Sequence, residues 1–105
     1  MKNITHPLTE NITLPNILYA LSDPIRLQMV QQLAKEGQQT CGNFSIPVAK
    51  STLSHHFRVL RETGIIWVRG EGTQRFISLR HQDLEERFAG LLNTILQAAN
   101  GTGAK

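Results

Sequence analysis

The chain has 105 residues, with eleven lysines and arginines against eight acids and a formal net charge of +3. That length supports one hydrophobic core and not two, and it leaves little room for an enclosed catalytic cleft. No apolar run approaches the roughly 20 residues that cross a bilayer, a lone cysteine excludes an intrachain disulfide, and no cationic-apolar-small leader opens the sequence; the chain therefore reads as cytoplasmic, with no membrane partner.

Residues 1–11 are polar and aperiodic and read as a flexible N-terminal segment. Ile12, Leu14, Ile17, Leu18 and Leu21 then recur at the spacing of a short amphipathic helix, with Pro15 tolerated in its first turn. Ser22 or Asp23 supplies an N-cap, Pro24 suits the first helical position, and Gly37 offers a left-handed exit, which predicts a helix over Pro24 to Glu36. Its inner positions are Leu27, Val30, Leu33 and Ala34, with Gln28, Gln31, Gln32 and Lys35 toward water. Gly42 and Pro47 interrupt the segment from Gln38 to Ala49, leaving one short helical turn at most, near Cys41 to Ser45.

The next helix, Ser51 to Thr63, is stopped by Gly64. Leu53, Phe57 and Leu60 form its buried stripe, with Val59 at the edge and His56 packed toward it. The opposite face carries Lys50, Ser51, Thr52, Ser54, His55, Arg58 and Arg61, with Ser51 also placed to act as N-cap. A solubilising face mixes both signs of charge. This one offers small hydrogen-bonding groups and cations, the equipment for a phosphate-lined groove. In that reading Thr52 and Ser54 donate to phosphates or base edges, while His55 and Arg58 reach purine acceptors. Arg58 is also spaced to pair with Glu62 one turn on.

Ile65 to Arg69 is β-branched and aromatic enough for a strand, Gly70 to Thr73 reads as a hairpin tip, and Gln74 to Arg80 returns with alternating faces. Arg69, Thr73, Gln74 and Arg75 cluster at that tip, suited to phosphate or minor-groove contacts or, more simply, to keeping a hairpin edge soluble. From Lys50 to Arg80 six cations face two acids, whereas the rest of the chain holds five against six. A final helix is predicted over Gln82 to Ala99, with Asp83, Glu85 and Glu86 in its first turns and Leu84, Phe88, Leu91, Leu92, Ile95, Leu96 and Ala99 as a broad stripe. A domain this small has little interior left for that stripe and for Ile12, Leu14, Ile17, Leu18 and Leu21. Pairing both terminal helices with a second copy buries them, which predicts an interface through Phe88, Leu91, Leu92, Ile95, Leu96 and those five residues. Residues 12–99 thus form the DNA-binding and dimerisation domain, and 100–105 a frayed tail.

ALSDPIRLQMVQQL at Ala20 to Leu33, STLSHHFRVLRETGII at Ser51 to Ile66 and RGEGTQRFISL at Arg69 to Leu79 stand in an order that resembles the ArsR/SmtB family of winged helix-turn-helix transcriptional regulators, over roughly residues 14 to 97. The resemblance implies a mainly α fold with a two-stranded β-hairpin wing, dimerising through its N- and C-terminal helices. It also implies a homodimer on a double-stranded DNA operator built as an inverted repeat, and repression relieved by an inducer that the sequence does not name. Many members sense metals through a Cys-x-Cys pair, where TCGNFSIPVAK here has only Cys41; others use acidic and His residues on the last helix, and no His or Cys follows His81. The chain is therefore similar to a metal-free branch, with no metal site and no cofactor.

Cys41 has two readings: a thiol packed beneath the recognition helix, or a redox or electrophile sensor beside it. His6 and His81 have no partners at metal spacing and are assigned no function. Arg26 is open between a DNA-backbone contact and a cap on a neighbouring carboxylate. A winged-helix module for an acidic protein partner is the alternative from another functional class. An enzyme built on Cys41 with His55 or His56 lacks any orienting group or oxyanion loop, so no catalytic residue is assigned.

Overall fold

The computed structural model describes residues 4–104, and side chains over residues 4–101. Residues 1–3 and 105, parts of the predicted N-terminal segment and C-terminal tail, lie outside it. In chain order the elements are α1 (Leu14–Leu21), α2 (Pro24–Glu36), β1 (Gln39–Thr40), α3 (Lys50–Glu62), β2 (Ile66–Glu71), β3 (Gln74–Leu79), α4 (His81–Arg87) and α5 (Leu91–Ala104). Single 3-10 turns lie at Thr9–Asn11 and Cys41–Asn43.

The cap predicted for α2 is present, and α1 carries one besides. Thr13 caps α1 through Asn16 N–H, and Asp23 Oδ1 accepts the amides of Ile25 (2.8 Å) and Arg26 (3.1 Å) at the entry of α2, a cap worth about 1 kcal/mol. Gly37, at φ 79°, closes α2 where the sequence places the exit. The inner face of α2 differs from the prediction: Arg26, Met29, Val30 and Leu33 are buried, Leu27 is half-buried and Ala34 is exposed. The face is rotated because α2 packs on both α1 and α3, and a helix wedged between two neighbours is covered from an angle that its own periodicity does not define.

Three further predictions are corrected. The hairpin is part of a three-stranded antiparallel sheet in the order β1-β3-β2, because Gln39 and Thr40 pair with Ile77 and Phe76. A two-residue strand has too few positions to display a period, so only the partner strand reveals it. The long C-terminal helix is broken: Phe88 leaves the helical region at φ −140°, ψ 75°, and Gly90 has φ 79°. Glu85 Oε2 accepts the Gly90 amide at 2.8 Å across the break, and α5 then runs on to Ala104 through the predicted tail, with Asn100 accepting a bond from Gln31 at 2.7 Å.

The segment from Ile4 to Asn11 is held to the sheet rather than loose. Val68 N–H donates to His6 Nε2 at 3.0 Å, Arg80 Nη1 donates to the Pro7 carbonyl at 2.8 Å, and Arg61 Nη1 donates to the Thr5 carbonyl. His6 also packs edge-on to Trp67 at 5.0 Å. Ile12 ends this arm in the core at 1% exposure, together with Ile17, Ala20, Met29, Val30, Leu60, Ile65, Ile66 and Ile77.

Candidate nucleic-acid interface

α3 begins at Lys50 with Ala49 as N-cap and no side-chain cap, so Ser51 sits free in the first turn and does not serve as the predicted cap. Its buried side is His56, Val59 and Leu60, with Leu53 and Phe57 only half-buried. That is a shift of the predicted stripe toward α2. Lys50, Ser51, Thr52, Ser54, His55 and Arg58 are all exposed on the remaining surface, which carries no acid through its first three turns. Among the described residues Arg58 has no ion pair, so the spacing to Glu62 is not used.

The orientation of this face is set by a buried polar contact. Arg26, 5% exposed, donates from Nε to the Ala20 carbonyl at 2.8 Å and from Nη1 to His56 Nδ1 at 3.1 Å, with its guanidinium over Tyr19. It is a strut between α1, α2 and α3, which decides the role that the sequence leaves open. A guanidinium only donates, so His56 Nδ1 must be unprotonated. Burial lowers the His56 pKa, nearby Asp23 opposes that, and the positive charge of Arg26 reinforces it. The predicted packed, hydrogen-bonded His56 is therefore present, now with its partner.

Strand pairing divides the residues of the hairpin. The register Gly70↔Arg75 and Val68↔Ile77 puts Arg75 on the face that meets α3, whereas Arg69↔Phe76 and Glu71↔Gln74 put Arg69 and Gln74 on the reverse face. Arg69 there pairs with Glu71 at 3.1 Å and lies over the Phe76 ring at 4.7 Å. Thr73 is exposed in the two-residue turn with Gly72. Arg61 departs most from the prediction: it is half-buried, bound to Thr5 and 3.9 Å from Glu62, so it anchors the N-terminal arm.

Cys41 is half-buried at the end of β1. Burial raises its pKa, and the charge of Arg75 pulls the other way. A raised thiol is a slow nucleophile, which fits the packed reading better than the sensing one. Among the described residues no group of three His, Cys, Asp or Glu is placed to hold a metal, and no helix is long and apolar enough to cross a membrane.

Of the residues predicted for dimerisation, Ile12, Ile17, Leu21, Leu92 and Leu96 are buried within the single chain, and Phe88, Leu91 and Ile95 are half-buried. Leu14 and Leu18 remain 41% and 49% exposed. Tyr19, adjacent in the same helix and outside the predicted stripe, is 58% exposed.

A helix-turn-helix domain model matches residues 21–69, the stretch from the end of α1 into β2. An uncharacterized HTH-type transcriptional regulator of Bacillus subtilis, YceK, is 33% identical over 82 residues, 75% of this chain and 82% of that protein. The transcriptional repressor SdpR of the same bacterium is 29% identical over 87 residues, 81% of this chain and 96% of that one. Among solved structures, the transcriptional repressor BigR from Xylella fastidiosa aligns with a TM-score of 0.59 and 32% identity over 71% of this chain and 85% of that one. An ArsR family transcriptional regulator aligns with a TM-score of 0.63 over 77% and 90%, at 22% identity a likeness of fold.

Proposed function

This chain belongs to the ArsR family of winged helix-turn-helix transcriptional regulators, and from that premise we propose that it is a homodimeric repressor that lays α3 in the major groove of an inverted-repeat operator. The observation that carries the reading is the exposed, acid-free surface of Lys50, Ser51, Thr52, Ser54, His55 and Arg58 beside a hairpin whose Arg75 lies on the same side. Cations there replace condensed counterions, and small hydroxyls fit between phosphate rows. His55 and Arg58 read base edges, while Lys50, Ser51, Thr52, Ser54 and Arg75 position the helix on the backbone. Thr73, Gln74 and Arg69 meet flanking DNA from the hairpin tip, with Arg69 the weakest because Glu71 neutralises it. Two copies place their α3 helices in successive major grooves, roughly 34 Å apart, and exclude polymerase sterically. Chemistry is not part of this role.

Selection of bound sequences from a random duplex pool, followed by affinity measurement on the winner, tests the proposal. The expected winner is an inverted repeat with half-sites about one helical turn apart. Arg58→Ala or His55→Ala should cost about 1–3 kcal/mol on the operator and little on random duplex. Arg75→Ala should weaken both and reduce the salt slope by about one. Equal losses on both DNAs from every substitution would overturn these roles, and no binding at low salt would favour the protein-binding alternative.

A further inference from the structure

Between α3 and the α3-facing side of the sheet lies an open cleft of about 440 Å³, lined by Cys41, Ser54, Phe57, Arg58, Arg61, Val68, Arg75 and Ile77. Its composition is lopsided. Three arginines line it, and no lining residue is acidic. Arg61 is engaged by Thr5, but among the described residues neither Arg58 nor Arg75 has an ion-pair partner. Grouping like charges along one cleft beside a low-dielectric wall is unfavourable, and a bound anion relieves it. The rest of the lining supplies that wall: Ile77 is fully buried, Val68 nearly so, and Phe57 is half-buried. A site with an apolar floor and a few convergent polar groups takes a ligand with the same division.

We propose that this cleft binds a small organic anion, a carboxylate on an aromatic or branched apolar body, with the carboxylate held by Arg58 and Arg75 and the body against Phe57 and the accessible edge of Val68, Ile77 backing them from the core. Inorganic phosphate satisfies only the rim, and a duplex phosphate carries nothing for the floor. Guanidinium and carboxylate pair through two parallel hydrogen bonds, which favours this class over neutral ligands. The regulatory consequence rests on the DNA-binding reading: an occupied cleft withdraws Arg58 and Arg75 from the phosphates, so the anion acts as an inducer by competing for the same side chains. Binding of the anion does not depend on that reading.

The test uses the full chain without DNA and benzoate as probe, with benzyl alcohol and inorganic phosphate as the neutral and floorless comparisons. Affinity is measured by calorimetry, and position by protection of Cys41, the only cysteine, from alkylation by iodoacetamide at mildly alkaline pH. Benzoate should bind at least about tenfold more tightly than either comparison and slow Cys41 alkylation. Arg75→Gln should lose about tenfold in benzoate affinity, whereas Lys35→Gln, the same charge change on α2, should not. Benzoate binding no tighter than phosphate, unprotected Cys41, or undiminished binding by Arg75→Gln would each overturn the proposal. In a second arm, benzoate should displace a bound duplex. Benzoate binding by a protein that binds no DNA would leave the site standing and refute its regulatory role.

Discussion

Arg26 and His56 show how one buried contact serves both stability and function. Among the described residues every buried polar side-chain atom has a partner, and these two largely satisfy each other. Arg26→Ala strands His56 Nδ1 and the Ala20 carbonyl, so it should cost about 3 kcal/mol in urea unfolding and also weaken operator binding by tilting α3. Arg26→Lys keeps the charge but not the fork, and should recover only part of the loss. The pH response follows from the same geometry. Both His56 and His6 have pKa values below the ordinary 6.5, in each case mainly through burial. A histidine depressed on folding binds fewer protons in the native state, so its contribution is complete above 6.5 and declines as pH falls through the window beneath it. Asp23 adds a loss at lower pH: burial raises its pKa, but the amides of Arg26 and Ile25 outweigh that and lower it. Unfolding midpoints should therefore fall from about pH 6.5 downward, and His56→Gln, an acceptor that does not titrate, should flatten that slope. An unchanged slope would mean that His56 is protonated in the fold. Gly64 is a second position where one residue decides: at φ 92°, an added Cβ would lie 2.5 Å from Ile12 Cγ1. Gly64→Ala should cost about 3 kcal/mol, combining left-handed strain with overpacking of a core that does not yield.

The elements legible in the sequence are those whose signals lie within their own length. α2 carries its cap, its proline and its closing glycine, and it begins and ends where they stand. The hairpin follows from the β-branched and aromatic run before Gly70 and the alternation after Thr73, but its turn is only Gly72 and Thr73, because Gly70 and Glu71 pair with Arg75 and Gln74. The N-terminal arm has no such signal. Its order comes from outside, through His6 on the exposed edge of β2 and Pro7 and Thr5 on two arginines. Covering that edge also removes a template for strand addition. His6→Ala should loosen the arm locally over β2 at a cost of about 1 kcal/mol and shift the emission of Trp67, the sole tryptophan, toward solvent. Trp67 emission identical to wild type would mean that the arm is held without His6. Arg80, fully buried with Asp83 at 3.0 Å and stacked 3.8 Å from the Trp67 ring, keeps the inner end of the arm in place in either case.

At the scale of the whole molecule, the stripe predicted to need a second subunit divides in two. The break at Phe88 to Gly90 separates α4 from α5, and Leu84, Leu92 and Leu96 are buried in the chain's own core. Leu14, Leu18 and Tyr19 remain as the exposed apolar surface of α1, and Leu91 and Ile95 of α5 stay half-buried. Leu18→Glu should leave the monomer folded, because the side chain is half in water already, yet convert the dimer to monomer by sedimentation and abolish cooperative binding to a two-half-site operator. Dimers that persist in Leu18→Glu would move the interface elsewhere.

The sequence alone determined α2, α3, the hairpin, the polar surface of α3 and the family, because caps, helical and strand periods and the order of blocks are local or linear properties. Only the tertiary structure decided that Arg26 is a strut and Arg61 an anchor, that Arg69 and Arg75 lie on opposite faces, that β1 exists, and that the C-terminal stripe is broken. The physical reason is common to all of them. A long cationic side chain is equally compatible with water, a phosphate or a buried carbonyl, and a two-residue strand with many partners. The choice is made by desolvation and hydrogen-bond partners supplied from distant parts of the chain.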